Sequence, residues 1–341
     1  MFDINKIVRP NILSLEAYSS ARDEFTGSEG VFLDANENPF GDLNRYPDPF
    51  QKAVKERLSE IKSVPAQNIF LGNGSDEIID LCFRVFCEPG KDKALTFTPT
   101  YGMYEVSAAI NNIALVKVPL DDNFQIDVAA VTPLLNDANV KIIFICSPNN
   151  PTGNVIETTD YIIQNFKGIV VVDEAYIDFS ESISLSKKIE QYPNIIVLQT
   201  LSKAWGMAAA RVGLAFAGTL IIAFLNKVKP PYNISTLNQS AALYALQDVA
   251  KFELQKNIIL QEKEKMLQEL ENLSYVIKVY PSDTNFFLME VTDADTIYNT
   301  LITNQIIIRN RNKIVKNCLR ITIGTPDENA ALLTTLKNIT L

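Results

Sequence analysis

The sequence predicts an α/β protein built on a mostly parallel sheet, followed by a smaller α+β unit. Three observations point there. From about residue 70 onward, short β-branched runs alternate with helical patterns. Several of those runs are continuously apolar, the pattern of strands covered on both faces. Past a long, charged helical stretch the pattern changes to further strands and a closing helix.

Taken in chain order, strands are expected at 93–97, 114–118, 140–146, 168–173, 194–198 and 212–217, separated by segments long enough for crossover helices. The clearest helix opens at Ser75. Ser75 suits an N-cap, Asp76 and Glu77 occupy the first turn, and Ile78, Leu81, Cys82 and Val85 repeat at helical spacing before Pro89-Gly90. A helical region over 239–272, charged in its later half, leads to strands at 276–280, 285–291, 305–309 and 318–323 and a helix from Asp327. The expected organisation is an N-terminal arm over 1–33, packing on the small domain and a partner subunit. A large domain over 34–240 and a small domain over 241–341 follow.

Composition narrows the partners. Of 341 residues 47% are hydrophobic and 21% charged, enough to bury a large core. With 31 Lys+Arg against 40 Asp+Glu the formal net charge is -9, which repels phosphate backbones and anionic lipid, so neither nucleic acid nor membrane partners are expected. The first twenty residues lack a basic stretch leading into an apolar run, and no stretch reaches the ~18 apolar residues of a spanning helix. Cys82, Cys87, Cys146 and Cys318 lie in apolar segments without a Cys-x-x-Cys pair, so they read as small buried hydrophobes rather than disulfides or zinc ligands. A cytoplasmic protein with no metal is expected. There is no histidine. Ser-His-Asp and Cys-His nucleophiles are thereby excluded, and proton transfer near neutral pH falls to a lysine, a tyrosine, a carboxylate or a cofactor.

The polar residues that could do chemistry follow the strands. The first runs into Thr98-Pro-Thr-Tyr-Gly, the third into Ser147-Pro-Asn-Asn-Pro-Thr-Gly, the fourth into Asp173-Glu-Ala-Tyr176 and the fifth into Thr200-Leu-Ser-Lys-Ala. Any one of these alone is more simply a turn. Four at one sheet edge are the layout of a ligand site, because open α/β sheets bind at the carboxyl ends of their strands. Leu71-Gly-Asn-Gly-Ser-Asp-Glu puts glycine-rich backbone before a helix N-terminus, which suits a phosphate. Lys203 lies just past an apolar strand. A lone lysine is ordinarily a surface charge, but one at an apolar sheet edge has a lowered pKa and serves as a Schiff-base nucleophile and proton carrier. Arg211, eight residues on, suits a phosphate.

Asp173-Glu-Ala-Tyr176, Ser202-Lys203 with Arg211, and Asn150-Pro-Thr-Gly resemble the motif set of fold-type-I pyridoxal-phosphate aminotransferases. More narrowly, Asp34-Ala-Asn-Glu-Asn-Pro, Arg45-Tyr-Pro-Asp-Pro, Gly72-Asn-Gly-Ser-Asp-Glu, Pro99-Thr-Tyr-Gly-Met-Tyr and Cys318-Leu-Arg-Ile-Thr-Ile-Gly resemble the histidinol-phosphate aminotransferases, in family order from about Tyr18 to Gly324. The resemblance implies a large domain with a seven-stranded, mostly parallel sheet between helices, and pyridoxal 5′-phosphate as cofactor.

Residue by residue, the resemblance makes Lys203 the cofactor's Schiff-base lysine and proton shuttle. Asp173 becomes the partner that keeps the pyridine nitrogen protonated, as an electron sink requires. Tyr176 and Asn150 would bond the ring's phenolic oxygen, and Tyr101 would stack on its face. The backbone of Ser75 and Asp76, with Ser202 and Arg211, would grip the cofactor phosphate, and Gly74 and Thr200 join the cofactor-binding set. Tyr46 and Tyr18 would come from the second subunit of a homodimer, with Asn36 and Tyr18 on the substrate side. Arg309 and Arg320 would bind the glutamate carboxylate and, in exchange, the phosphate of histidinol phosphate; Arg311 is an ambiguous extra. Trp205-Gly-Met-Ala-Ala-Ala departs from the usual segment and bears on pocket shape. Rival readings are an aromatic aminotransferase or a threonine-phosphate decarboxylase on the same scaffold. A non-catalytic pyridoxal-phosphate-sensing regulator fits poorly, because no basic DNA-binding segment is present.

Overall fold

The computed structural model describes residues 2–18 and 30–339. Seven strands form the larger sheet: β1 (Ile69–Asn73), β2 (Lys93–Thr98), β3 (Ala114–Pro119), β4 (Val140–Cys146), β5 (Ile169–Asp173), β6 (Ile195–Thr200) and β7 (Val212–Ala217). Their order is β1-β7-β6-β5-β4-β2-β3, with β7 antiparallel to both its neighbours and every other pairing parallel. Continuous apolar runs have a direct physical reading here. Along β5, Val170 and Val172 enter one hydrophobic cluster while Ile169 and Val171 enter the other. Ile143 and Ile145 of β4 divide from Ile142 and Phe144 in the same way. Side chains alternate across a strand, so a strand with helices on both faces needs an apolar residue at every position.

All six strands expected in this unit are present, with edges moved by up to two residues. The seventh, β1, is hidden in the sequence because Gly72-Asn-Gly at its end reads as a turn. The helix Ser75–Phe86 begins where expected, but its cap is Gly74 (φ 77°), and Ser75 is the first helical residue rather than the N-cap. The region 239–272 is two helices, Thr236–Gln247 and Val249–Leu270, broken at Asp248, whose side chain accepts from the Lys251 N–H.

The smaller sheet is antiparallel, ordered β10-β11-β9-β8 from β8 (Val276–Val279), β9 (Phe286–Val291), β10 (Arg309–Asn310) and β11 (Cys318–Thr322). The strand expected over 305–309 shrinks to those two residues. Residues Met266, Phe287, Leu301 and Leu336 from the sheet and its covering helices share one core. Phe286 instead joins the large-unit cluster and meets Tyr176 edge-on, 5.0 Å between ring centroids, so the two units close over a shared apolar seam.

Of the expected N-terminal arm, residues 4–12 lie on the large unit. Ile4, Val8 and Ile12 bury against the cluster containing the Ser75–Phe86 helix, the Arg9 N–H donates to the Val85 carbonyl at 3.0 Å, and Arg9 pairs with Glu88. Burying three aliphatic side chains on the nearest apolar helix decides the matter. Positions 19–29 of the expected arm lie outside the described residues.

Gly213 of β7 faces Gly72 of β1, and a Cβ there would stand 2.3 Å from both the Gly74 carbonyl carbon and the Ser75 nitrogen. Its bareness lets the turn from β1 into the helix lie against β7. Gly213→Ala is expected to lower stability by about 1–3 kcal/mol through overpacking, read as a shifted urea midpoint with unchanged slope.

Candidate active site

Neighbouring strands β4, β5 and β6 end side by side, and their carboxyl ends open on a cleft of ≈ 620 Å³ with the tip of the Ser75–Phe86 helix and the small-sheet arginines. At its floor Asp173 closes β5, 3% exposed. Its Oδ2 accepts from the Tyr104 hydroxyl at 2.8 Å and its Oδ1 from the Ala175 N–H at 3.1 Å. Burial pushes the carboxyl up from its usual range, against those two donors and the more distant Lys203. Among the described residues no cationic side chain forms an ion pair with it. The next residue, Glu174, ties down the loop after β5 by accepting from Ser184, Gln199 and the Leu185 N–H, and burial pushes it up to about 7.

Asn150 follows β4. Its Oδ1 accepts from the Arg320 guanidinium, which has only N–H groups to offer, so the Nδ2 donor is left for the cleft. Tyr176 is buried with its hydroxyl pKa pushed up by desolvation, and the Lys203 Nζ lies 5.6 Å from its ring centroid. Lys203 reaches into the open cleft, where the surrounding walls and then the Arg320 charge lower its pKa. Tyr101 lies edge-on to Tyr104 at 5.7 Å, and its hydroxyl donates to Asp76 Oδ1 at 3.0 Å.

A second constellation collects donors. The Ser75–Phe86 helix points its N-terminus at the cleft. The Gly74 N–H donates to the Arg211 carbonyl at 2.7 Å, and a Cβ on Gly74 would stand 2.4 Å from the Arg211 guanidinium. Only a glycine lets that guanidinium lie over the helix start. The Ser202 N–H donates to Thr200 Oγ1 at 3.1 Å, which turns the Ser202 hydroxyl toward the same corner. Backbone N–H groups, a hydroxyl and one arginine at a helix N-terminus form an anion cradle.

The far wall belongs to the small sheet. Arg309 and Arg320 are directly paired across β10 and β11. Arg320 lies over the Phe286 ring, 5.1 Å away, and Phe286 in turn backs Tyr176. Arg311 lines the cleft as well.

Of the residues expected at the cofactor, Ser75, Asp76, Tyr101, Asn150, Asp173, Tyr176, Thr200, Ser202, Lys203 and Arg211 line one cleft, with Gly74 beneath Arg211. They fit pyridoxal phosphate by the chemistry of the donor set. A buried acid awaits a cation, an anion cradle stands at one end, and a lysine of lowered pKa reaches between them. Tyr18, Asn36 and Tyr46 stand elsewhere on the same chain; Tyr46 stacks on Tyr232 at 4.4 Å with Asn36 beside it, and Tyr18 borders a separate hollow. Trp205 leaves the cleft, buried flat against Phe252 at 4.0 Å, whereas Ala208 of the same segment lines it. Tyr104 escaped the sequence reading, since an aromatic on an apolar helix face looks like core. No group of residues among those described could hold a metal ion.

Comparison with known proteins agrees with this geometry. Residues 19–336 match the family model described as aminotransferase class I and II. The histidinol-phosphate aminotransferase of Parabacteroides distasonis is 52% identical over 346 residues, covering 100% of both chains. The crystal structure of the Clostridium acetobutylicum histidinol-phosphate aminotransferase superposes with a TM-score of 0.79 at 26% identity, covering 86% of this chain and 90% of that one. The Sinorhizobium meliloti enzyme in complex with pyridoxal-5′-phosphate shares the fold, with a TM-score of 0.80 at 22% identity over 90% of each chain.

Tyr104→Phe removes the hydroxyl donor from Asp173. Because that donor opposes the burial-raised pKa, its loss raises the pKa further. Losing the hydrogen bond should cost the cofactor-free variant about 1–3 kcal/mol. Because a higher folded-state pKa makes stability fall further as pH rises, the deficit should be larger at pH 8 than at pH 5. Urea denaturation at pH 8 and pH 5 checks the sign.

Proposed function

The chain belongs to the class I and II aminotransferases, and from that premise we propose that it moves the amino group of histidinol phosphate to 2-oxoglutarate, with pyridoxal phosphate as cofactor, in histidine synthesis. The observation that carries the substrate is the Arg309/Arg320 pair, register partners on adjacent strands that face the cleft without an acidic partner among the described residues. Such a pair accepts a carboxylate or a phosphate in turn, as an enzyme that alternates two anionic substrates requires. The full-length relative at 52% identity carries the same activity in its name.

Bound pyridoxal phosphate supplies an electrophilic carbon for the substrate amine and a ring that withdraws electrons from the carbon losing its proton. This chain's residues do the rest. Asp173, buried in the cleft floor, would as a carboxylate be the counter-ion that keeps a proton on the ring nitrogen. The Tyr176 hydroxyl and Asn150 Nδ2 serve the phenolic oxygen, and Tyr101 covers the ring face. The Ser75–Phe86 helix start, Ser202 and Arg211 hold the cofactor phosphate. Lys203, neutral at lower pH than an ordinary lysine, takes a proton from the substrate carbon and returns it one atom away. Arg309 and Arg320 orient whichever substrate anion is present.

The assembly we infer is a homodimer with its N-terminal arm at the subunit boundary, and the site is cytoplasmic. Two things support the dimer. Tyr18, Asn36 and Tyr46 lie outside this chain's own cleft. Val31, Leu33 and Phe40, in the same stretch as Asn36 and Tyr46, are each more than four-fifths exposed. All four cysteines are buried and free, as a reducing compartment would leave them. The division into a large domain over 34–240 and a small one over 241–341 is supported by the two separate sheets.

Histidinol phosphate alone should shift the absorbance of the bound cofactor, and 2-oxoglutarate should restore it. In Lys203→Ala the conversion should slow by at least about a hundredfold. Faster conversion by phenylalanine or tyrosine would overturn the substrate while leaving the chemistry in place. For the dimer, mixing Lys203→Ala chains with Tyr46→Ala chains should recover activity that neither has alone. Sedimentation as a monomer in the active state would refute the shared site.

A further inference from the structure

Arg311 is a cleft residue that neither the cofactor nor the Arg309/Arg320 pair accounts for. Its direction follows from the chain. Asn310 and Asn312 donate to Asp295 on the outer side, at 2.6 and 2.9 Å, so the alternating positions 309 and 311 turn toward the cleft. The backbone is pinned: the Arg311 N–H donates to the Cys318 carbonyl at 2.9 Å, and the Arg311 carbonyl accepts from Ile314 and Val315. The side chain is half-buried, and its Nε is enclosed with no hydrogen-bond partner among the described residues. Among the described residues no acidic residue pairs with it. Desolvation, then the charges of Arg320 and Arg309, lower its pKa to about 10, so three guanidiniums crowd one wall with no paired acid among the described residues. An arginine held this way is not a solvated surface charge.

Two guanidiniums suffice for a carboxylate, which has two oxygens and one negative charge. A phosphate monoester near neutral pH carries close to two charges on three acceptor oxygens, so one phosphate group can use a third fork where one carboxylate group cannot. We propose that Arg311 is a specificity-determining residue, a third anion ligand that gives the cleft a preference for a phosphate dianion over a carboxylate. The preference rests on the reading that the amino donor is phosphorylated. It adds a reason why one wall can serve both partners yet favour one.

The test uses holoenzyme, so that the cofactor's own phosphate already fills the Arg211 cradle. Inorganic phosphate and acetate are titrated separately by calorimetry into wild type, Arg311→Gln and Arg311→Lys, with thermal melting to confirm that each variant is folded. Wild type should bind phosphate more tightly than acetate. In Arg311→Gln, phosphate affinity should fall by at least about tenfold and acetate affinity by clearly less, with Arg311→Lys between the two. A folded Arg311→Gln that keeps the wild-type phosphate-to-acetate ratio overturns the inference, as does a wild type without preference. Failure of histidinol phosphate to convert the cofactor would instead strike the substrate reading, and the phosphate-to-acetate ratio would still decide the role of Arg311.

Discussion

Burying an ionisable carboxylate at the end of the middle strand is the constraint around which the rest of the molecule is arranged. Asp173 sits where β4, β5 and β6 stop together, out of water and, among the described residues, without a cationic side chain paired to it. Two donors reach it, the Tyr104 hydroxyl and the Ala175 N–H. That is enough to tolerate the acid and too little to satisfy it as an anion. An acid so placed is completed by a cationic ligand, and a protonated pyridine is the right size and charge. The strand order then follows. With Asp173 in the middle, the loop after β4 delivers Asn150 on one side and the loop after β6 delivers Ser202 and Lys203 on the other.

Much of this was legible in the sequence, for reasons that differ by residue. The strands of the large sheet announced themselves because a sheet covered on both faces tolerates no polar position, and Ile142–Cys146 and Ile169–Val172 have none. β1 stayed hidden because it ends in Gly72-Asn73 and runs straight into the Gly74 cap, where close packing leaves no room for a Cβ at Gly72 or Gly74, and Gly-Asn-Gly spells a turn. β10 shrank because the apolar run Ile306–Ile308 does not pair: Ile308 is buried while Ile307 is exposed, and only Arg309 and Asn310 complete the ladder with β11. Tyr104 has the spacing of a core aromatic and is one, stacked on Phe144 at 4.9 Å; its hydroxyl is the functional part, and no periodicity distinguishes tyrosine from phenylalanine there. The orientation of the Asn150 amide was likewise out of reach. It depends on Arg320, 170 positions away in the chain.

The packing of the two units explains how distant residues hold one geometry. Phe286 enters the core of the large unit from the small sheet, backing Tyr176 on one side and carrying Arg320 on the other. A single ring thus fixes the spacing between a residue facing the cofactor and a residue facing the substrate. A hydrogen bond between Asn150 and Arg320 adds a second tie across the same seam. The Asp283 N–H donating to the Gly153 carbonyl at 2.8 Å adds a third. Movement of the small unit would therefore shift Arg320 and the Asn150 amide together, so that two walls of the cleft are mechanically coupled.

The two anion sites differ in a way that matches how long each anion stays. Arg211 is balanced: Asp76 lies 3.4 Å away, and backbone N–H groups and the Ser202 hydroxyl share the load at a helix terminus. Neutral donors with a nearly compensated cation suit a resident phosphate, since most of the binding comes from fixed geometry and little repulsion builds up when the site is formed during folding. Arg309, Arg311 and Arg320 have no such balance. On the proposed reading a substrate anion would relieve their mutual repulsion, which makes its arrival favourable. A wall built from paired arginines would bind substrates less strongly, and a cradle built from unpaired ones would burden the fold whenever the cofactor was absent.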